Sequence, residues 1–272
     1  MELPDSLIAQ AKLDGNNAFE TVVMRSPILK RKVTLSLYQS APHATEYALL
    51  LLNDGQDAEA MKLDKLLHRV KDDIQPLMVV AIHAGDRLSE YGVAGMPDYK
   101  NRGAEAQTYA LFVVQELLPW IESRFPISKN PERRAFAGFS LGGLSAFDQV
   151  WNRPDLFSRC GVFSGSFWWR SKALDAGYTD ADRIAHQLVR MGKYRAGMRF
   201  WFQAGTADES CDRNNNGVID AIDDTLDLIT ELIMKGYKLK SDVVYYEVAG
   251  GKHDIQTWTK VFPVFLKWAF KK

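Results

Sequence analysis

The chain has 272 residues, 46% of them hydrophobic and 25% charged, with 34 Lys plus Arg against 34 Asp plus Glu. That composition excludes a disordered, collagenous or fibrous chain. Zero formal net charge supplies no polyanion-seeking field, so neither nucleic acid nor a membrane surface is expected as a partner.

The apolar runs Ala48 to Leu52 and Leu77 to Ile82 are far shorter than a membrane span. The opening MELPDSLIAQAKLDG lacks the basic-then-apolar pattern of a secretory signal. The expectation is a soluble, cytoplasmic protein. Two cysteines make no disulfide framework, so Cys160 and Cys211 are expected as reduced, structural thiols.

In chain order, Phe19 to Arg25 and Val33 to Tyr38 carry β-formers on either side of Ser26-Pro27, which predicts a hairpin. Tyr47 to Leu52 and Leu77 to Ile82 are continuous apolar runs, the mark of strands covered on both faces. A helix is predicted between them over Met61 to Ile74. A Gly- and Asp-rich stretch, His83 to Arg102, leads to a long helix over Ala104 to Ser123 with Ala106, Tyr109, Val113, Leu117 and Trp120 on one face.

Four further strands are predicted at Arg134 to Gly138, Cys160 to Ser164, Arg199 to Ala204 and Val243 to Val248. Helices are predicted over Leu141 to Trp151, Asp180 to Met191, Ala221 to Lys235 and Ile255 to Phe270, the last with Pro263 as a potential kink. Strand alternating with helix predicts a mostly parallel sheet clothed by helices in one α/β domain over 18–272, preceded by an extension over 1–17.

Gly138-Phe139-Ser140-Leu141-Gly142 sits where an apolar strand ends and a helix begins. A sharp strand-to-helix turn leaves no room for side chains two residues either side of the nucleophile, hence Gly138 and Gly142. The helix that follows favours negative charge at the hydroxyl. Chance would give about 0.1 such matches in a chain of this composition. Ser140 is the candidate nucleophile.

A serine needs a base, and in doubly wound hydrolases the order is Ser, acid, His. Of five histidines only His186 and His253 follow Ser140. His186 lies inside a helical pattern, whereas His253 lies in Gly250-Gly251-Lys252-His253-Asp254, a loop at the carboxyl edge of the sheet. His253 is the candidate base. Asp208, after the Arg199 strand, is the candidate acid, with Glu209 as the alternative. The Leu141 N–H supplies one oxyanion donor, and the loop around Gly55 and Gln56 supplies another unless Asn53-Asp54-Gly55 is a plain turn.

These motifs resemble an esterase family that includes the enterochelin (enterobactin) esterases, within the α/β hydrolases. The resemblance runs in order over about 18–270, through LLLNDGQD, DRLSEY, GFSLGG, SGSFWW, GTAD and VAGGKHDIQTW. It implies the α/β-hydrolase fold: three layers, a mostly parallel central sheet and an N-terminal antiparallel hairpin. It implies a serine carboxylesterase with Ser140, Asp208 and His253 as its triad, an acyl-enzyme and no cofactor for catalysis. Arg87 becomes a substrate-binding candidate or an ion-pair partner of Glu90. Phe167, Trp168 and Trp169 become a candidate aromatic wall, or core. The β-sandwich that many enterochelin esterases carry at the N-terminus does not fit before the first strand. The expected substrate is therefore a small-molecule, carbohydrate or siderophore ester without a named acid or alcohol.

Asp212 to Asp223 fits the EF-type spacing D-x-N-x-N-G-x-I-D. Oxygen ligands would be Asp212, Asn214, Asn216, the Val218 carbonyl and Asp220, with Asp223 at the twelfth position where Glu is usual. The shorter Asp predicts weak calcium binding or a preference for magnesium, in a structural role beside Asp208. The alternative is an Asn-rich turn with Asp220 capping the next helix. An acyltransferase on the same fold and a non-catalytic calcium-binding interaction module are the competing functions. Oligomeric state leaves no trace in the sequence.

Overall fold

The computed structural model describes residues 19–272; the expected extension over 1–17 lies outside the described residues. The chain begins with the hairpin Phe19–Ser26 (β1) and Arg31–Gln39 (β2). Ala48–Asn53 (β3), Leu63–Val70 (α1), Leu77–Ile82 (β4) and the short Arg87–Glu90 (α2) follow. Ala106–Phe112 (α3) and Leu118–Glu122 (α4) lead to Arg134–Phe139 (β5) and Leu141–Asn152 (α5). Arg159–Phe163 (β6), Ile184–Met191 (α6), Arg199–Ala207 (β7), Asp220–Lys235 (α7), Val243–Lys252 (β8) and Ile255–Phe270 (α8) complete the alternation.

The strands form one sheet in the order β1-β2-β4-β3-β5-β6-β7-β8. β1 and β2 pair antiparallel, as do β2 and β4, and every later pairing is parallel. Every residue of β3, β4 and β5 is buried. Their side chains alternate between two cores. Leu49, Leu51, Val80 and Phe136 pack toward α3 to α7, while Leu50, Leu52, Val79 and Ala137 pack toward α1 and α8. This is the three-layer α/β-hydrolase arrangement with its N-terminal hairpin.

The long helix expected over Ala104 to Ser123 divides into α3, a π segment Val113–Leu117 and α4. Pro119 carries no N–H, and just before it Leu118 donates five residues back to the Val113 carbonyl. The apolar stripe survives the wider turn, because Tyr109, Val113, Leu117 and Trp120 all remain buried. α8 runs unbroken through Pro263.

The connectivity positions the site. β3 lies between β4 and β5, and the chain leaves β3 for one neighbour first and reaches the other later. A crevice opens at the carboxyl ends of strands at such a switch point, the usual place for ligands in open α/β sheets. Asn53 ends β3 and Ser140 follows β5, on the two sides of it.

Candidate active site

Ser140 stands between β5 and α5 with φ 54° and ψ −123°. A non-glycine residue there is strained, and the strain exposes its side chain at the top of the sheet. A Cβ on Gly138 would lie 2.3 Å from the Gly142 carbonyl oxygen, and one on Gly142 would lie 2.5 Å from an Asp54 carboxylate oxygen. Gly138 is therefore required by the bend, and Gly142 by the close approach of Asn53 and Asp54. The N–H groups of Leu141 and Gly142 open α5 and have no intrahelical acceptor. The Ser140 hydroxyl lies 3.3 Å from the Ser166 hydroxyl.

Across the crevice Asp54 adopts a left-handed conformation, φ 59° and ψ 47°, at the head of a 3-10 turn over Gly55–Asp57. Tyr91 and Tyr109 hold this loop from beneath. The Asp54 N–H donates to the Tyr91 hydroxyl at 3.1 Å, and the Tyr109 hydroxyl donates to Asn53 Oδ1 at 2.6 Å. Asn53 Nδ2 donates to the Gly142 carbonyl at 2.8 Å, which ties the loop to the nucleophile helix. Gly55 and Gln56 open the 3-10 turn, leaving their N–H groups without intrahelical acceptors. The exposed Gln56 side chain donates to Asp54 and accepts the Ala84 N–H.

Arg87 grips Asp54 through Nε at 2.8 Å and Nη2 at 3.1 Å, and Nη2 also reaches the Phe139 carbonyl at 3.2 Å. Glu90, the partner weighed for Arg87 from sequence, pairs with Arg31 at 2.6 and 2.5 Å.

β7 and β8 run further than their apolar cores, ending at Ala207 and Lys252, which pair across a register shift. Asp208 and His253 follow immediately. The Asp208 carboxylate is buried: Oδ2 accepts the Gly205 N–H at 3.1 Å, and Oδ1 has no partner among the described residues. His253 is exposed and meets the Trp258 ring edge-to-face, the ring centroids 5.3 Å apart. Lost hydration lowers its pKa, the Asp208 charge pulls it back up, and the Arg87 charge lowers it. The structure thus brings His253 within the fields of both Asp208 and Arg87.

Glu209 points elsewhere, to the Ala221 N–H and the Cys211 thiol, and burial raises its pKa. His186 is enclosed, with Nε2 at 2.9 Å from the Asp224 carbonyl and its pKa pushed down to about 3 by burial. Both cysteines are free, Cys160 buried and Cys211 exposed.

The three aromatics after β6 separate. Phe167 and Trp169 are fully buried in the core, and Trp169 donates its indole N–H to the Met96 carbonyl at 3.3 Å. Trp169 therefore presents no surface to a substrate. Trp168 is half-buried, with the Arg102 guanidinium 4.8 Å from its ring centroid. Arg102 is held in turn by Asp98.

In the Asp212 loop, Asp223 Oδ2 accepts from the side-chain amides of Asn214 and Asn216, each at 2.8 Å. The Asp212 carboxylate accepts the N–H groups of Asn216 and Gly217. Asp220 turns toward Arg213, accepting its backbone N–H at 2.9 Å and facing its guanidinium at 3.3 Å. The next helix begins at Asp220 itself, with Ile219 at its cap, so Asp220 is not a capping residue. No cluster of three or more His, Cys, Asp or Glu side chains suited to a metal ion occurs among the described residues.

Three residues contact the site without standing out as candidates in the sequence. Asp54 and Ser166 contact partners remote in sequence, and Ser164 accepts the Trp258 indole N–H at 2.9 Å. Ser164 and Ser166 are the two serines of SGSFWW and Asp54 lies inside LLLNDGQD, and those blocks are the signal that pointed toward them.

Over 247 residues the chain is 26% identical to the iron(III) enterobactin esterase of Escherichia coli K12, covering 87% of this chain and 53% of that one. It superposes on the enterochelin esterase of Shigella flexneri with a TM-score of 0.72 at 24% identity, covering 93% of this chain and 58% of that one. It superposes on a siderophore hydrolase of Aspergillus nidulans with a TM-score of 0.65 at 16% identity, covering 98% of each chain. The chain thus spans a little over half the length of the bacterial enterobactin esterases it matches. No helix of the described residues is long and apolar enough to cross a membrane. The family model described as Putative esterase matches residues 26–269, and the chain belongs to that family.

Proposed function

We propose that this protein is a serine carboxylic ester hydrolase. The observation that carries this reading is the backbone bend at Ser140, which holds a hydroxyl at the head of α5 across the crevice from the Asp54 loop. Ser140 attacks the ester carbonyl while His253 takes its proton, and Asp208 orients and stabilises the imidazolium. Charge developing on the carbonyl oxygen is met by N–H groups at Leu141 and at Gly55 or Gln56. The alcohol leaves with the proton from His253, and water activated by the same ring releases the acid. The Ser140 hydroxyl bonds to Ser166 here, and catalytic hydrogen bonds commonly shorten only when substrate arrives.

Relatives named iron(III) enterobactin esterase and siderophore hydrolase favour a siderophore-type ester. The half-buried Trp168 beside Arg102 would suit an aromatic ring in such a substrate. The test compares wild type with Ser140→Ala on an activated aryl ester, then screens aryl, acetyl-sugar, feruloyl and siderophore esters. Turnover at equal rates by both proteins overturns the serine mechanism.

We further propose that the Asp212 to Asp223 loop binds calcium weakly. Its support is the convergence of Asp212, Asn214, Asn216 and Asp223 side chains. Rotating the two amides would turn their oxygens inward. Asp220, held by Arg213, is a poor ligand, which keeps the affinity low.

A further inference from the structure

Ser166 is 3% exposed, and its hydroxyl lies 3.3 Å from the Ser140 hydroxyl. Its backbone N–H also donates to the Ser140 carbonyl at 3.3 Å. A buried hydroxyl needs a partner, and this one has the atom assigned above as nucleophile.

On the other side of Gly165, Ser164 is held at φ 49° with its N–H on the Gln203 carbonyl at 2.8 Å. Its hydroxyl accepts the Trp258 indole N–H at 2.9 Å. Trp258 stacks on Phe139 at 4.9 Å and meets His253 edge-to-face. One three-residue turn therefore touches Ser140 directly and His253 through a single indole.

We propose that Ser166 is a positioning residue for the nucleophile, donating its hydroxyl to a lone pair of Ser140 Oγ so that the Ser140 proton is left free for His253. This rests on the serine-hydrolase reading above. Ser166 keeps its own proton throughout. The proton of Ser140 goes to His253, and the new acyl bond forms on an oxygen still held by Ser166. A separation of 3.3 Å is long for O–H···O, as expected for a contact that tightens when charge grows on Oγ.

Without the contact, Ser140 samples its staggered χ1 wells more evenly and loses one modest hydrogen bond. Together these predict a fall in kcat of about 3- to 10-fold with little change in KM.

The test uses Ser166→Ala and Ser166→Cys beside wild type and Ser140→Ala. Ala removes the hydroxyl and leaves a small gap; Cys fills the volume but donates weakly. Four readouts are taken: kcat and KM on an activated aryl ester, the pH dependence of kcat/KM, the rate of phosphonylation by a fluorophosphonate, and the thermal midpoint. The phosphonylation rate reports Ser140 reactivity independently of the ester. The expected result is a parallel loss in kcat and phosphonylation in both variants, with KM, the acid limb of the pH profile and the thermal midpoint essentially unchanged. Should Ser166→Ala prove unstable, Ser166→Cys carries the comparison. Wild-type rates in Ser166→Cys would make Ser166 a space-filler and overturn the inference, as would wild-type rates in Ser166→Ala. A wild type that neither turns over esters nor takes the label overturns the hydrolase reading itself, and this inference with it.

Discussion

Arg87 and Asp54 form a two-point ion pair in which the same Arg87 Nη2 also reaches the carbonyl of Phe139, the residue before Ser140. One guanidinium thereby joins the end of β3 to the end of β5 across the crevice. Asp54 is buried and Arg87 about one-third exposed, so the pair has a dry side and a wet side.

Arg87→Met leaves the Asp54 carboxylate buried without its cation. A fall in unfolding free energy of about 2–3 kcal/mol is expected, below the usual cost of breaking a fully buried pair because the outer face of Arg87 is hydrated. The loop bearing Gly55 loosens as well, and kcat drops on the order of 10- to 100-fold. Arg87→Lys cannot reproduce the fork and recovers little of either. Urea titration and steady-state kinetics check both effects.

The pH profile follows from His253. Burial holds its pKa below the ordinary imidazole value of about 6.5, so the neutral base persists to lower pH. The acid limb of kcat/KM is expected to inflect below that value. Asp208→Asn removes the charge that raises the pKa, moving the limb lower still, while the rate falls by about 10²- to 10⁴-fold. Arg87→Met removes a charge that lowers it and moves the limb up. Opposite shifts from the two variants are the signature; a common direction would contradict the placement of His253 between them.

Asp148 on α5 predicts a second pH effect, on stability. Complete burial pushes its carboxyl up to about 7, although the Ala94 N–H and the Asn152 amide both donate to it. With the folded value above the unfolded one, the folded state binds more protons between the two, so stability is fully present below about 4 and declines as pH rises toward 7. A difference of about three units corresponds to roughly 4 kcal/mol at most. Asp148→Asn should flatten the dependence of unfolding free energy on pH across that window. An identical slope in both proteins would show that Asp148 does not titrate there.

The Asp212 loop is checked by calorimetry and thermal melting. Millimolar calcium is expected to raise the midpoint by a few degrees, and Asp212→Ala to abolish the rise. No heat of binding and no chelator effect would leave the loop as an Asn-rich turn.

What the sequence disclosed depended on how local the cause was. β4 and α8 have the boundaries read from their apolar runs, because burial on both faces or along one helical stripe writes itself into successive residues. β7 and β8 are longer than read, because Gly205 to Ala207 and Ala249 to Lys252 pair through backbone and the Thr206 hydroxyl, which accepts the Gly250 N–H, and lack an apolar signature. The π segment was hidden because Pro119 gives no periodic signal. At the site, Gly138 answers a local steric demand of the bend and was legible, whereas Gly142 makes room for the remote Asn53 and Asp54 side chains. Asp54, Ser166 and Asp148 acquire their surroundings from residues many positions away, and no spacing rule announces them.

Asp54, Ser140 and Ser164 directly follow the neighbouring strands β3, β5 and β6, and each has a positive φ without being glycine. Each such residue costs on the order of 1–2 kcal/mol. Glycine at 54 or 164 would relieve that strain but would strip Arg87 or the buried Trp258 indole of its acceptor, so neither change raises the melting temperature. The strain is bound to the contacts it makes, and laboratory evolution of this scaffold should screen turnover and thermal endurance together.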